Sequence, residues 1–108
     1  MEGCKLSVKI TVMRKAAYHD LMAEHENPME NPCPMAEGMV FISRHGMRPE
    51  ALCENAWPSL EPFVWELSRG GGNFYGNWMK NPKSAMISCN DGFRPVSFLL
   101  EAEDAESL

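Results

Sequence analysis

The sequence predicts a small α+β protein, a two-layer sandwich of about four mostly antiparallel strands and two helices. Three observations predict it: an alternating apolar pattern near the N-terminus, an apolar pattern of helical period in mid-chain, and two alternating runs joined by a turn near the C-terminus. With 108 residues, the chain is expected to form one domain over residues 1–100, followed by an acidic tail over residues 101–108.

The N-terminal region predicts a strand followed by a short helix. Between residues 5 and 12, apolar β-branched and leucine residues alternate with polar ones, which is typical of a strand with one buried face. From residue 16 to residue 26 the spacing becomes helical, and Pro28 ends the helix because proline disfavours a helical residue before it. Residues 27–38 contain three prolines and predict an ordered loop.

The middle of the chain predicts a short buried strand and an amphipathic helix. Residues 39–43 form a short apolar run after Gly38. Apolar residues then recur at i, i+3, i+4 and i+7 from Leu60 to Leu67, and three glycines at 70–72 stop the helix. Pro58 and Pro62 are expected in or before the first helical turn, where a missing N–H does no harm.

The C-terminal region predicts a hairpin. Ala85, Ile87 and Cys89 share one face of the first strand, and a second alternating run begins at Val96. Asn90-Asp91-Gly92 supplies the turn between them. The predicted order is therefore β-α-β-α-β-β.

The charge distribution argues against two classes of partner. The formal charge is −5, but the last eight residues hold four of the fifteen acids, so the body of the protein is nearly neutral. Neither the body nor the tail provides the basic face that nucleic acid or an anionic membrane requires. The N-terminal pattern is not that of a signal peptide, and the longest apolar stretch, residues 39–42, is too short to span a bilayer, so we expect a cytoplasmic protein.

One segment is similar to an enzyme signature. Residues 44–49 read Arg-His-Gly-Met-Arg-Pro and resemble the Arg-His-Gly-x-Arg-x-Pro motif of histidine acid phosphatases, in which the histidine attacks phosphorus. Here Pro49 follows Arg48 directly, and the only His-Asp pair, at residues 19–20, lies upstream of the motif. Phosphatase activity through His45 is therefore a distant alternative in a chain this short.

The glycine-rich stretch from Gly70 to Trp78 lacks the features of a phosphate-binding loop. Asn77-Trp78 stand where a P-loop needs lysine and a hydroxyl residue, and the stretch follows a helix rather than a strand. It predicts a helix C-cap and a loop that carries aromatic residues.

The four cysteines form no local metal-binding motif. No Cys-x-x-Cys pair occurs among Cys4, Cys33, Cys53 and Cys89, so a sequence-local zinc knuckle is excluded, although thiols from separate loops could still converge. In a reducing compartment disulfides are not the default, and each cysteine is expected to be a buried small hydrophobic residue more often than a functional thiol.

Several pieces of the chain together resemble an uncharacterised family of small cysteine-containing prokaryotic proteins that is common in anaerobic bacteria and archaea. The matching pieces, in order, are Pro32-Cys33-Pro34, Gly38-x-x-Phe41, Cys53-x-x-Ala56-Trp57, Gly71-Gly72-Asn73-Phe74, Trp78-Met79 and Cys89-x-Asp91-Gly92-x-Arg94-Pro95-Val96-x-Phe98. The chain departs from the family where Pro58 follows Trp57 in place of an acidic residue, and where Ser88 replaces a second cysteine before Cys89. The family brings no reaction with it, but it selects Cys33, Cys53 and Cys89 over Cys4.

Two functional hypotheses follow from the resemblance and the residues. In the first, Cys33, Cys53 and Cys89 form a redox or metal-binding site, with Arg94 available to lower the pKa of a thiol. In the second, which we favour, the protein is a non-catalytic module that binds a small ligand or a protein partner, and a homo-oligomer is possible. The candidate ligand-binding residues are Cys33, Cys53, Trp57, Asn73, Trp78, Cys89 and Arg94. The sequence specifies no cofactor, and sulfur–sulfur separations of about 3.5–4 Å among the three thiols would favour a metal.

Overall fold

A computed structural model, which describes residues 6–28 and 33–103, confirms the α+β class. The elements follow in the predicted order: β1 (Ser7–Lys15), α1 (His19–His25), β2 (Val40–Ser43), α2 (Trp57–Ser68), β3 (Ser84–Ser88) and β4 (Val96–Glu103). The strands form one antiparallel sheet in the order β2-β1-β4-β3. None of the helices in these residues is long and apolar enough to cross a membrane.

One face of the sheet and one side of α2 form the core. The alternation in β1 places Val8, Ile10 and Val12 on the inner face, where all three are buried. The helical spacing in α2 buries Leu60, Val64 and Leu67, and α2 packs against β1, β3 and β4. Burial of each such side chain contributes about 1.5–3 kcal/mol, so the two amphipathic patterns drive the layers together.

The helix α2 begins earlier than its spacing predicts. It starts at Trp57, which places Pro58 in the first turn as expected but leaves Pro62 inside the helix, so the prediction for Pro62 is wrong. A proline at this position removes one N–H bond, to the carbonyl four residues earlier. The carbonyl that loses this donor belongs to Pro58, the second residue of α2.

The C-terminal end of α2 confirms the predicted glycine stop. Gly70 has φ +91°, a conformation that glycine adopts without steric cost. The N–H of Gly70 donates to the Leu67 carbonyl at 3.0 Å and that of Gly71 to the Glu66 carbonyl at 2.9 Å. These bonds satisfy carbonyls that the helix leaves open at its end.

Both β1 and β4 extend further along the chain than the sequence predicts. β4 continues to Glu103, three residues past the predicted domain boundary, while residues 104–108 of the predicted tail lie outside the described residues. After β1, the N–H groups of Ala16 and Tyr18 donate to the carbonyls of Pro95 and Phe93, both at 2.9 Å. The chain therefore enters α1 beside the loop that joins β3 to β4.

Candidate functional site

Three cysteines that are far apart in sequence meet at one cavity. Cys33, Cys53 and Cys89 line the same space, which has a volume of about 400 Å³. All three are free thiols of intermediate exposure, so each is accessible from the cavity and partly held by the core. We call this space the thiol cavity.

The segment before β2 supplies Cys33. Lys15, the last residue of β1, donates from Nζ to the Cys33 carbonyl at 3.2 Å and so holds this segment against the end of the strand. Pro34 restricts the backbone directly after the thiol, and the next residue, Met35, is buried in the core. The core therefore anchors Cys33 from one side and the strand end anchors it from the other.

The turn that leads into α2 supplies Cys53. Its carbonyl accepts hydrogen bonds from the N–H groups of Ala56 at 3.2 Å and Trp57 at 3.3 Å. Ala56 is buried and also lines the thiol cavity. Because the turn is locked onto the start of α2, the position of Cys53 follows from the packing of that helix.

Cys89 follows β3 directly and has an unusual bond to its sulfur. Its N–H donates to the Val96 carbonyl at 2.9 Å, as in a hydrogen-bonded antiparallel pair. The reciprocal N–H, from Val96, donates to Cys89 Sγ at 3.2 Å. The sulfur thus takes the place of the Cys89 carbonyl as acceptor, and the ladder itself fixes the thiol at the cavity wall.

Arg94 is placed by the loop between β3 and β4. Asp91 Oδ1 accepts the N–H groups of Phe93 at 2.8 Å and of Arg94 at 3.2 Å, which closes the loop. The Arg94 side chain then donates from Nη1 to Glu26 Oε2 at 2.8 Å, just after α1. This hydrogen bond to Glu26 raises the pKa of Arg94 above its usual value, so the guanidinium is charged at every physiological pH.

The Glu26–Arg94 ion pair is expected to hold α1 in place, because α1 has no buried residue of its own. Replacing Glu26 by glutamine should speed amide hydrogen exchange in residues 19–26, measured by mass spectrometry of fragments. Glu24→Gln is the matched control, since Glu24 is exposed and only approaches His25, at 3.9 Å. Equal exchange in the two variants would contradict this role.

The cavity has an apolar floor and a polar rim. Met35, Ala56, Val96 and Phe98 form the buried floor. Asn55, Asn90, Asp91 and Arg94 lie at the rim. Of these eight residues, only Arg94 was a predicted site residue. The turn signal at residues 90–92 and the pieces that resemble the family contain Ala56, Asn90, Asp91, Val96 and Phe98 without assigning them to a site, and no sequence signal pointed to Met35 or Asn55.

The structure brings together four of the seven predicted ligand-binding residues. Cys33, Cys53, Cys89 and Arg94 line the thiol cavity, whereas Trp57, Asn73 and Trp78 are not among its lining residues. Trp57 instead donates from Nε1 to Glu61 Oε2 at 3.3 Å on its own helix.

Asn73 and Trp78 belong to a separate aromatic loop, residues 73–78. Asn73 organises this loop, because its Oδ1 accepts the Asn77 N–H at 2.9 Å. Trp78 packs edge-on against Tyr75 with ring centroids 5.3 Å apart, and both rings are exposed. Phe74 packs on Phe63 of α2 at 5.0 Å and anchors the loop to the helix.

The phosphatase-like segment is a structural turn. His45 is exposed, with φ +57°, and the Met47 N–H closes the turn onto the Arg44 carbonyl at 3.1 Å. Arg48 donates from Nη1 to the carbonyls of Glu50 at 3.2 Å and Leu52 at 2.7 Å. The Arg48 guanidinium therefore organises the loop that carries Cys53, and neither His45 nor Arg48 lines the thiol cavity.

The thiols share a cavity wall without forming a compact ligand set. Among residues 6–28 and 33–103, no three His, Cys, Asp or Glu side chains are grouped so that they could hold a metal ion. The geometry is that of an open, sulfur-rich cavity, with space for a molecule between the thiols.

Comparison of this chain with protein families, with curated proteins and with solved structures finds no match. The resemblance to the anaerobe family therefore stays a prediction, and the geometry of the thiol cavity is the evidence that bears on function.

Proposed function

We propose that the protein is a non-catalytic module that binds a small molecule in the thiol cavity. The observation that carries this proposal is the meeting of Cys33, Cys53 and Cys89, from three separate loops, at one cavity of about 400 Å³. Cavities for small molecules in proteins fall at about 300–1,000 Å³ and combine apolar walls with a few polar groups, which matches this arrangement.

The cavity lining indicates the kind of ligand. Its floor of Met35, Ala56, Val96 and Phe98 favours an apolar body, and the three thiols add soft, polarisable surface. The carboxamides of Asn55 and Asn90 at the rim offer both donors and acceptors. We therefore expect a compact ligand with an apolar or sulfur-containing body and a hydrogen-bonding end.

Protection of the three thiols by one probe tests the proposal. In a Cys4→Ser background, the labelling rates of Cys33, Cys53 and Cys89 by monobromobimane are measured by peptide mass spectrometry. Saturating 1-anilinonaphthalene-8-sulfonate, an apolar fluorophore with a polar end, should slow all three rates together, by about fivefold or more, because one occupant shields one shared cavity.

A variant at the rim provides the control. Asn55 is exposed at the cavity mouth, and Asn55→Trp places a large ring there. The variant should abolish both the rise in probe fluorescence that accompanies binding and the protection of the three thiols from labelling. Asn81→Trp makes the same change at an exposed position before β3 that does not line the cavity, and it should leave both intact. Protection of only one thiol, or equal effects of the two variants, would contradict a shared ligand site.

A second candidate function is dithiol redox chemistry, which is favoured because the bond from Val96 N–H holds Cys89 Sγ in place at a cavity that Cys33 and Cys53 also line. In a cytoplasmic protein, the expected reducing environment would keep these thiols free until an oxidant arrives. Treatment with diamide would then join two thiols, with both hydrogens passing to diamide, and the protein mass would fall by about 2 Da as one S–S bond forms. The measurement uses the Cys4→Ser variant, in which an unchanged mass with three titratable thiols leaves the binding module as the function.

A further inference from the structure

The sheet face opposite α2, which we call the outer face, carries a row of four residues across the four strands, three of them apolar, which we call the apolar row. The strand register sets Val40 opposite Thr11, Thr11 opposite Leu99, and Leu99 opposite Met86. The two ends of the row, Val40 and Met86, are 51% and 37% exposed. Helix α2 lies on the other face, so in the described part of the chain this row has no helix packed on it.

One pair of opposite charges lies beside the apolar row, in a second row whose two ends are uncharged. The register sets Ile42 opposite Lys9, Lys9 opposite Glu101, and Glu101 opposite Ser84. Lys9 and Glu101 therefore occupy the two central strands at the same level, one on each side of the line between β1 and β4. The face combines a central pair of opposite charges with apolar residues at its margins.

We infer that the outer face binds a second copy of this chain in a two-fold symmetric dimer. A two-fold axis parallel to the strands, between β1 and β4, places each strand of one copy over a different strand of the other. Lys9 then faces Glu101 of the second copy, and Glu101 faces its Lys9, so two complementary contacts form at once. The same operation sets Val40 over Met86 of the second copy, which covers the two exposed ends of the apolar row.

The size of the face predicts a weak dimer. Four strands at a spacing of about 4.8 Å make a face about 19 Å across, and packed sheets lie about 10 Å apart. Because the strands are only four to nine residues long, such an interface is smaller than the standard size for a stable complex and belongs to the weak, transient class. We therefore expect reversible, concentration-dependent association, with the aligned strand directions usual for packed sheets.

Sedimentation velocity of the full chain over a concentration series tests the face. Wild-type protein should shift from monomer towards dimer as concentration rises, and Val40→Glu should weaken association by about tenfold or more, because two carboxylates enter the interface. Met47→Glu is the matched control, since Met47 is 64% exposed but lies on the turn after β2. A monomeric wild type at all concentrations, or equal association of the two variants, overturns the proposal.

A charge swap tests the two-fold arrangement itself. Lys9→Glu and Glu101→Lys should each associate weakly alone, because like charges then face each other across the interface. Mixing the two variants should restore association to near the wild-type level, because both contacts between unlike chains again join opposite charges. In the mixture, each variant still has two like charges at positions 9 and 101 of its own chain. Recovery of association therefore comes from contacts between the chains and not from pairing within one chain. No gain on mixing overturns the proposed register.

Discussion

Phe98→Ala is expected to lower the free energy of unfolding by about 3–5 kcal/mol, the range for removing a fully buried aromatic side chain. Phe98 has no exposed surface and is the largest of the fully buried side chains. It lies on β4, in the core between the sheet and α2, and also forms part of the cavity floor. Urea denaturation followed by circular dichroism measures the change.

The control for Phe98→Ala is a variant that removes a phenylalanine ring from a half-buried position. Phe63 packs against the margin of the core, so Phe63→Ala should cost clearly less than Phe98→Ala. Phe98→Ala also enlarges the floor of the thiol cavity. The folded fraction of this variant should therefore bind the fluorescent probe with an affinity different from that of the wild type. A loss below about 1.5 kcal/mol for Phe98→Ala would mean that this part of the core collapses readily around the space.

Gly72→Ala is expected to destabilise the protein by about 3 kcal/mol or more, an effect of backbone overlap and strain. A Cβ at Gly72 would overlap the carbonyl oxygen of Pro82. That oxygen is held in place by the Asn73 N–H, which donates to it at 2.6 Å. Neither backbone segment can move without breaking this bond, and thermal unfolding should show a large fall in Tm.

Alanine substitutions at the neighbouring glycines should destabilise the protein less than Gly72→Ala. A Cβ at Gly71 would meet only the Glu66 carboxylate, the end of a flexible side chain that can swing aside. A Cβ at Gly70 meets nothing within 4 Å, so Gly70→Ala carries only the cost of its φ of +91°, about 1–2 kcal/mol. The expected order of destabilisation therefore places Gly72 first, and an equal or smaller loss at Gly72 than at Gly70 would contradict the overlap.

The elements themselves were open to prediction because their signals are local. Alternation in β1 and the spacing from Leu60 to Leu67 in α2 depend only on which side of an element faces the core. The prediction for Pro62 was wrong because no local signal says that packing keeps this proline inside α2, and likewise no local signal marks Glu103 as the end of β4.

The candidate site was partly predictable, and for a different reason. Cys33, Cys53, Cys89 and Arg94 were selected by the family resemblance, and they meet at one cavity. Asn73 and Trp78 were selected in the same way, but they lie on the aromatic loop, where they interact with Asn77 and Tyr75. Composition and spacing do not distinguish residues that share a loop from residues that share a cavity.

By itself, the sequence determined the fold class, the order of the elements and the glycine stop after α2, because each depends on neighbours within about a helical turn or a strand pair. Only the tertiary structure decided that three distant thiols line one cavity, since that depends on the docking of three loops on the sheet and α2. It also decided that Val96 donates to Cys89 Sγ and that Lys9 lies beside Glu101, because strand register is a property of pairs of segments far apart in the chain.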